Sequence, residues 1–429
     1  MSLYDKASIA LIPSGTKAST LYSVLPANGD GDFTHSRSNT TATRVNKDGL
    51  IEDVGSNIPR LDYPLTNGVV GDCPNLLLEP QRLNYSNYTE ALSNWVDENV
   101  TTTDNQTVSP NGSVNASKIV ENSSNTFHFI SKLISSTTTA NNLVFTCFLK
   151  KGTRTNAYIY FRTYSNANRY GISVNLENGT ITDTEQSGSP VNVETSVTDY
   201  GNDWYRVKVR MYQVSGTATM LIGPNNNTTI NGINNTYQGD GSSYIYAWGT
   251  QLEVGDFETS YIPSPNSATQ VTRSADVCNN AGTSAQVNND AGAFFVEIQA
   301  LEEGSSASRR ITLSDESTNN RLLIETDEST GTFKFFIVGG GTVRSIATST
   351  GNTQTDINKL AIGYDGTSAK AYINGTQVGS ITNATTRTGI DTIDIADWNG
   401  TSNVYFGRVK QVIYFNEALT DSELATLTS

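Results

Sequence analysis

The chain has 429 residues, enough for two or three domains, because single hydrophobic cores rarely grow beyond roughly 250–300 residues. Only 16% of the residues are charged and the net charge is -14, which argues against nucleic-acid binding, since that needs clustered Lys and Arg. The three cysteines form no CxxC pair, so neither a disulfide framework nor a zinc site is indicated, and a reducing cytoplasm fits best. No stretch approaches the roughly 18 apolar residues of a membrane helix, and we expect no membrane insertion.

The N-terminal segment, residues 1–84, has apolar residues only in small clusters such as IALIP, LYSVLP and GLIEDV, separated by polar loops. This pattern is too interrupted for an independent core. We therefore expect the segment to be buried against another part of the chain or against another subunit, as an attachment and oligomerisation module.

The densest apolar triplet of the chain lies near the end of this segment, in CPNLLLEPQRLNY. We interpret the leucines as a plug that buries apolar surface against the β-domain that follows or against a neighbouring subunit. A charged pair is expected at the rim of the plug, while Pro80 keeps the chain extended as it leaves. The predicted anchoring residues are Leu76, Leu77, Leu78, Glu79 and Arg82.

Residues 85–263 form the first predicted β-domain. From about Leu143, strand signals recur every 8 to 12 residues with turn residues between them, which is typical of a β-sandwich. One strand places three tyrosines and an arginine on the face opposite Ile159 and Phe161. We interpret this row as an exposed glycan platform, with a subunit interface as the alternative. Its members are Tyr158, Tyr160, Arg162 and Tyr164.

A second aromatic row consists of Tyr244, Tyr246 and Trp248, which alternate with Ile245 and Ala247. Core packing is the preferred interpretation of this row, and a sugar platform is the alternative. Residues 264–291 follow, rich in Ser, Asn, Ala, Thr and Gly without periodicity, and are predicted to be a linker between domains.

Residues 292–429 form the second predicted β-domain. Asp365-Gly366 and Asn374-Gly375 each lie between strand-like runs and predict two tight hairpins, hence a three-stranded meander. At the end, Thr420 and Glu423 have the spacing of a capping box and predict one short helix.

Two groups of carboxylates in this domain are candidate sites, one for glycan hydrolysis and one for calcium. Glu325 to Ser329 reads ETDES, which resembles the Glu-x-Asp-x-Glu strand of one glucanase family but lacks the third carboxylate, so no hydrolase activity is expected. With only His35 and His128 in the chain, a Ser-His-Asp triad is not expected either. Asp391, Asp394 and Asp397 could hold calcium or form a solvated acidic loop, and no other cofactor is indicated.

The run GDFTHSRSNTTATRVNKDGLIEDVGSNIPRLDY, followed by CPNLLLEPQRLNY, resembles a recurrent N-terminal module of tailed-phage virion appendages. His35 stands where that family commonly has an aromatic residue, and Leu83 where it commonly has Thr. Residues 203–211 and 244–264 resemble the carbohydrate-binding-module-like jelly roll that often follows this module. Residues 360–380 and 407–427 resemble laminin-G and concanavalin A-like lectin domains.

These resemblances imply an all-β protein with two antiparallel jelly-roll sandwiches after an irregular module. They also imply a non-enzymatic virion structural protein, made in the bacterial cytoplasm and displayed on the particle as a head fibre or capsid decoration. We expect a homotrimer that contacts other virion proteins and binds glycans weakly and multivalently. A tail fibre or tailspike, with or without glycan hydrolase activity, and a purely structural capsid cement are the alternatives.

Overall fold

The computed structural model describes residues 3–38, 41–137, 141–163, 168–213, 216–232, 234–301, 308–327 and 331–429. The fold is all-β, as predicted, with short 3-10 helices at Leu3–Lys6 and Leu92–Asn94 and one α-helix, α1, at Asp421–Thr428. In the part of the chain described, no helix is long and apolar enough to cross a membrane. The strands of the N-terminal segment are β1 (Ile9–Leu11), β2 (Thr16–Lys17), β3 (Thr20–Leu21), β4 (Phe33–Ser36), β5 (Thr43–Val45), β6 (Ile51–Asp53), β7 (Leu61–Asp62), β8 (Leu65–Thr66), β9 (Val69–Val70), β10 (Asn75–Leu78) and β11 (Arg82–Asn84).

The first sandwich, β12 to β25, packs two six-stranded antiparallel sheets face to face, in the orders β12-β16-β23-β18-β19-β20 and β13-β14-β25-β17-β22-β21. Alternate residues of each strand point into a shared core that includes Phe145, Phe161 and Val207. Its strands are β12 (Val96–Glu98), β13 (Val100–Val108), β14 (Val114–Glu121), β15 (Asn125–Thr126), β16 (Phe129–Thr137), β17 (Asn141–Lys151), β18 (Asn156–Thr163), β19 (Arg169–Asn175), β20 (Thr180–Ser187), β21 (Glu194–Asp199), β22 (Trp204–Gln213), β23 (Gly216–Asn225), β24 (Tyr237–Gln238) and β25 (Tyr244–Val254).

The second sandwich, β28 to β37, packs the sheet β32-β31-β30-β29-β36 against a sheet that begins β35-β34-β33-β28-β37. Two short strands, β26 (Val271–Arg273) and β27 (Val277–Asn279), precede it. Its strands are β28 (Ala291–Ala300), β29 (Ser308–Ser314), β30 (Arg321–Asp327), β31 (Thr332–Gly339), β32 (Thr342–Ser349), β33 (Asn358–Asp365), β34 (Ser368–Ile373), β35 (Thr376–Ile381), β36 (Thr392–Asp394) and β37 (Gly407–Phe415).

Strands of the N-terminal segment extend the second sandwich. One edge of β37 pairs with β28, and the other pairs with β1 at residues 412–414 and with β10 at residues 407–409. Strand β7 then adds to β10. The expectation that the leucine triplet packs against the first β-domain or another subunit is therefore wrong, because β10 supplies backbone hydrogen bonds to an edge that β37 leaves open. Leu76 and Leu78 point into the core of the second sandwich.

The predicted linker is built into the structure. Within residues 264–291, β26 pairs with β11 and β27 pairs with β4, so this stretch is tied to the N-terminal segment on both sides. Arg273, Asp276 and Cys278 are fully buried. This stretch lies between the two sandwiches, and its backbone and buried charges are used in pairing with the N-terminal segment.

The local predictions for the second sandwich are confirmed. Asn374-Gly375 closes the β34–β35 hairpin with φ of 46° and 82°, the left-handed values that these residue types adopt at low cost. The turn containing Gly366 closes the β33–β34 hairpin, which completes the meander. Helix α1 begins with Thr420 as N-cap, whose side chain accepts a hydrogen bond from the Glu423 amide in a capping box.

Candidate functional site

A fully buried charge cluster joins the N-terminal segment to the stretch between the sandwiches. Asp276 lies at its centre, with one carboxylate oxygen 3.0 Å from Nη1 of Arg37 and 3.2 Å from Nε2 of His35. The other oxygen accepts hydrogen bonds from Arg60 and from the amide of Glu79. Burial opposes ionisation of Asp276, but Arg60 and His35 outweigh it and hold the pKa of this carboxyl well below its usual range.

Glu79 is the second anion of the charge cluster. Its carboxylate accepts from Nη1 of Arg60 at 2.5 Å and from Nη1 of Arg273 at 2.7 Å. The amide and hydroxyl of Ser260 each donate to it at 2.7 Å, so the cluster also holds the segment that leaves the first sandwich. Burial alone would raise the pKa of Glu79, but the two arginines and Ser260 lower it to about 2.

The predicted rim pair of Glu79 with Arg82 is wrong. Glu79 is only 2% exposed and its carboxylate is already held by two other arginines. The Arg82 guanidinium instead stacks over Phe257, with its central carbon 5.0 Å from the ring centroid. Sequence reasoning missed Arg37, Arg60, Arg273 and Asp276, since none of them belongs to a periodic run.

A cleft of about 550 Å³ lies beside the charge cluster, where the N-terminal segment, the first sandwich and the second sandwich meet. Its floor is the outer face of β22, which presents Arg206, Lys208 and Arg210 while the alternate residues Val207 and Val209 face the core. Arg408 and Leu77 line the side that belongs to β37 and β10.

The cations of the cleft are held by carboxylates and carbonyl groups. Nζ of Lys208 lies 2.6 Å from Glu194 and 3.0 Å from Glu258, and Nη1 of Arg210 lies 2.9 Å from Glu194. Arg206 donates to the backbone oxygen of Thr259 at 2.8 Å. Burial would raise the pKa of Glu194, but Lys208 and Arg210 lower it overall. The lining contains equal numbers of cations and carboxylates: Arg44, Arg206, Lys208, Arg210, Arg408, and Asp62, Glu79, Glu194, Asp256, Glu258.

Aromatic rings form part of the cleft wall. Tyr63 and Tyr200 are half-buried, and Tyr200 stands edge-on to Phe148 at a centroid distance of 4.9 Å. Phe148 and Trp248 belong to a buried aromatic cluster on the outer face of the same sheet, which Ile51 of the N-terminal segment helps to cover. Neither tyrosine belongs to a periodic run in the sequence, because both lie outside regular strands.

The tyrosine row on β18 is not an exposed platform. Tyr158 and Tyr160 are both fully buried, so the prediction of an exposed face is wrong. The Tyr158 hydroxyl donates to the backbone oxygen of His128, just before β16, at 3.0 Å. The Tyr160 hydroxyl donates to the backbone oxygen of Gly232, in the loop after β23, at 3.2 Å. Arg162 is half-buried and donates to Asn234 at 2.7 Å. Tyr164, the last member of the predicted row, lies outside the described residues.

The second aromatic row is divided between core and surface. Trp248 is fully buried, in agreement with the core interpretation, whereas Tyr244 and Tyr246 are half-buried. Nζ of Lys118 lies 3.9 Å from the centroid of the Tyr244 ring, and a Cβ on Gly152 would lie 2.3 Å from that ring. Lys118 therefore occupies the position over the Tyr244 ring that a stacked sugar would need.

The three aspartates considered for calcium do not form a metal site. Asp397 is bound by two guanidinium groups, Arg310 at 2.5 Å and Arg321 at 2.7 Å. Asp394 accepts from the amide of Asn280 at 3.0 Å, and burial raises its pKa to about 6. Within the described ranges, no three His, Cys, Asp or Glu residues are grouped to hold a metal ion. The calcium interpretation does not fit Asp397, because two arginines take the place that a cation would need.

The carboxylates of β30 are also held in ion pairs. Glu325 accepts from Nε of Arg310 at 2.8 Å and lies 3.4 Å from Nζ of Lys334. Asp327 lies 2.8 Å from the same lysine. Paired in this way, the two carboxylates form part of a structural charge network.

Comparison with known proteins finds a family match within the second sandwich. Residues 293–425 match the model of the concanavalin A-like lectin/glucanases superfamily. This match contains residues 360–380 and all but the last two residues of 407–427, and it supports the lectin-like fold predicted from those segments. Among curated proteins, no sequence matches this chain.

Solved structures show partial similarity. The IT-sialidase CBM40 of Ruminococcus gnavus, bound to α2,3-sialyllactose, covers 35% of this chain and 94% of its own, with 11% identity and a TM-score of 0.28. Domain 4 of AbnA, an arabinanase from Geobacillus stearothermophilus, in complex with arabinotriose, covers 38% and 79%, with 14% identity and a TM-score of 0.31. The NanB sialidase of Streptococcus pneumoniae covers 34% and 25%, with 20% identity and a TM-score of 0.29.

Proposed function

We propose that this protein is a non-enzymatic, glycan-binding surface protein of a tailed-phage virion, and that it holds glycan in the cleft between its N-terminal segment and its two sandwiches. The observation that carries the glycan-binding part is the cleft itself, which combines half-buried tyrosine rings with a floor of paired charges. The match of residues 293–425 to a lectin superfamily supports the same class of function.

The chemistry of the cleft suits a sugar. Pyranose rings have apolar faces that stack on aromatic side chains, and Tyr63 and Tyr200 offer such rings. Sugar hydroxyls both donate and accept hydrogen bonds, and the matched cations and carboxylates provide fixed partners of both kinds. Because each such bond contributes only about 1 kcal/mol net, we expect weak binding at a single site. Several copies on one particle would raise the avidity.

The virion placement rests on the resemblance of residues 31–84 to a phage appendage module. We place the protein on the capsid, as a head fibre or decoration, in preference to the tail, and we propose that it assembles as a homotrimer with other virion proteins. Labelling of virions with an antibody to the second sandwich tests the placement, since signal confined to the tail would contradict it.

Tyr63→Ala tests the cleft. Purified full-length protein is applied to a glycan array, and we expect Tyr63→Ala to reduce the signal of at least one bound glycan about fivefold, because the substitution removes a stacking surface worth on the order of 1 kcal/mol. The matched control is Tyr22→Ala, which removes a 40% exposed tyrosine of the same segment outside the cleft. Equal binding by both variants would contradict the cleft assignment. No binding by the unaltered protein would favour a structural cement.

A further inference from the structure

A second concavity lies on the first sandwich, in the loop that joins β23 to β24. It encloses about 360 Å³, and its lining contains amide and hydroxyl side chains, one aliphatic residue and one aromatic residue, but no charged residue. Its lining includes Asn231, Asn235, Ile230 and Tyr237. We call this concavity the asparagine pocket.

The loop that forms the asparagine pocket is fixed to the sheet beneath it. The amide of Ile230 donates to Asp183 at 2.7 Å, and the hydroxyl of Thr182 donates to the backbone oxygen of Thr228 at 2.6 Å. Asn225 is 1% exposed and donates to the hydroxyl of Ser173 at 3.0 Å. A ligand would therefore meet groups that are already ordered, which lowers the entropic cost of binding.

Asn235 has an unused donor in this pocket. The residue is 1% exposed, and its Oδ1 accepts from the amide of Asn231 at 3.0 Å. Its Nδ2 is buried and meets no hydrogen-bond acceptor in the part of the chain that the structure describes. Buried amide donors are rarely left without a partner, because losing water without replacement is costly. An acceptor from outside the chain fits this position.

The remaining lining suits the body of a sugar. Tyr237 is 7% exposed, and its hydroxyl lies 2.9 Å from Glu121 and 3.0 Å from the backbone oxygen of Pro224, so the ring is held in place. Ile230 is partly buried against the aromatic group that contains Phe129. The pocket thus offers apolar contact beside neutral donors and acceptors, and it offers no cation to an anionic group.

We propose that the asparagine pocket is a second ligand site of the first sandwich, that it takes an uncharged sugar residue, and that Nδ2 of Asn235 donates to a sugar oxygen. The site is separate from the cleft and shares no lining residue with it. The absence of charged residues from its lining favours a neutral sugar over sialylated or uronic acid sugars.

Asn235→Asp tests the proposal, because it keeps the Oδ1 acceptor for Asn231 and replaces the Nδ2 donor with a carboxylate oxygen, which also adds a charge. Full-length, ¹⁵N-labelled protein is titrated with cellobiose, lactose and chitobiose as neutral probes and with sialyllactose as an anionic probe. We expect at least one neutral probe to shift the side-chain amide resonances of Asn231 and Asn235. We expect Asn235→Asp to lower the affinity for that probe about tenfold or more, as measured from the side-chain amide shifts of Asn231.

The control is Asn178→Asp, which adds the same charge in an exposed turn of the same sandwich. Tyr63→Ala should leave the shifts at the asparagine pocket unchanged, so a failure of the cleft assignment and a failure here can be told apart. Equal affinity in Asn235→Asp and Asn178→Asp would overturn the proposal. So would a response to sialyllactose alone, or shifts from neutral probes that appear only at the cleft.

Discussion

The two sandwiches complete their sheets in different ways. All twelve strands of the two main sheets of the first sandwich come from one continuous stretch, β12 to β25. The second sandwich takes β1, β7 and β10 from the N-terminal segment, on the open edge of β37. The first is therefore expected to fold from its own residues, whereas the second depends on residues from the far end of the chain. An open edge left uncovered is a site for unwanted pairing.

Leu76→Asp should give the largest difference between the sandwiches. Leu76 is fully buried in the core of the second sandwich, so a carboxylate there should destabilise it by about 4 kcal/mol or more. Hydrogen exchange should then accelerate in β28, β33 and β37 and stay slow in β17 and β22. Leu133→Asp, at a side chain 59% exposed in the first sandwich, is the control and should change neither. Equal acceleration in both sandwiches would contradict their independence.

Glu79→Gln should produce the next largest effect. The change leaves Arg60 and Arg273 buried with less opposing charge, and we expect a loss of about 3–5 kcal/mol in the free energy of unfolding of the second sandwich. Urea unfolding followed by hydrogen exchange measures it. Glu52→Gln is the matched control, because its pair with Arg44 is partly exposed and should contribute less than about 1 kcal/mol. Similar losses of unfolding free energy in the two variants would show that burial of the charge cluster does not increase its contribution to stability.

A change of pH should have a smaller and graded effect. The pKa of Glu79 is about 2 in the folded protein against an ordinary 4.5, so folding favours the ionised form. The stability this provides is complete above pH 4.5 and is lost as the pH falls toward 2, on the order of 3 kcal/mol in total. Thermal unfolding of the second sandwich should therefore shift down across that range more than that of the first. In Glu79→Gln the unfolding temperature of the second sandwich should change less steeply with pH. An unchanged pH dependence would show that other carboxylates cause the effect.

The sequence predicted those elements whose causes are local. Asn374-Gly375 and the Thr420 capping box each specify their conformation within a few residues, and both occur as expected. Alternation on β18 correctly placed Tyr158 and Tyr160 on one face. It could not tell whether that face is covered, because the covering loop lies near Gly232, far along the chain.

Long-range pairing could not be read from the sequence. No local sequence pattern indicates that β1 and β10 pair with β37, since a short apolar strand can pair with any open sheet edge of suitable length. Asp276 stands in a stretch without periodicity, and its role depends on three arginines that the fold brings together. The cleft and the asparagine pocket are likewise formed by loops, whose positions depend on tertiary packing.

The position of β37 in the sequence also affects the order in which parts of the chain can fold during synthesis. Strand β1 is synthesised well before its partner residues 412–414, which follow it by roughly 400 residues. The first sandwich can fold during this interval, while β1 and β10 remain without their hydrogen-bond partners in β37. During synthesis, the apolar strands β1 and β10 are therefore the parts of the nascent chain most in need of protection from premature pairing.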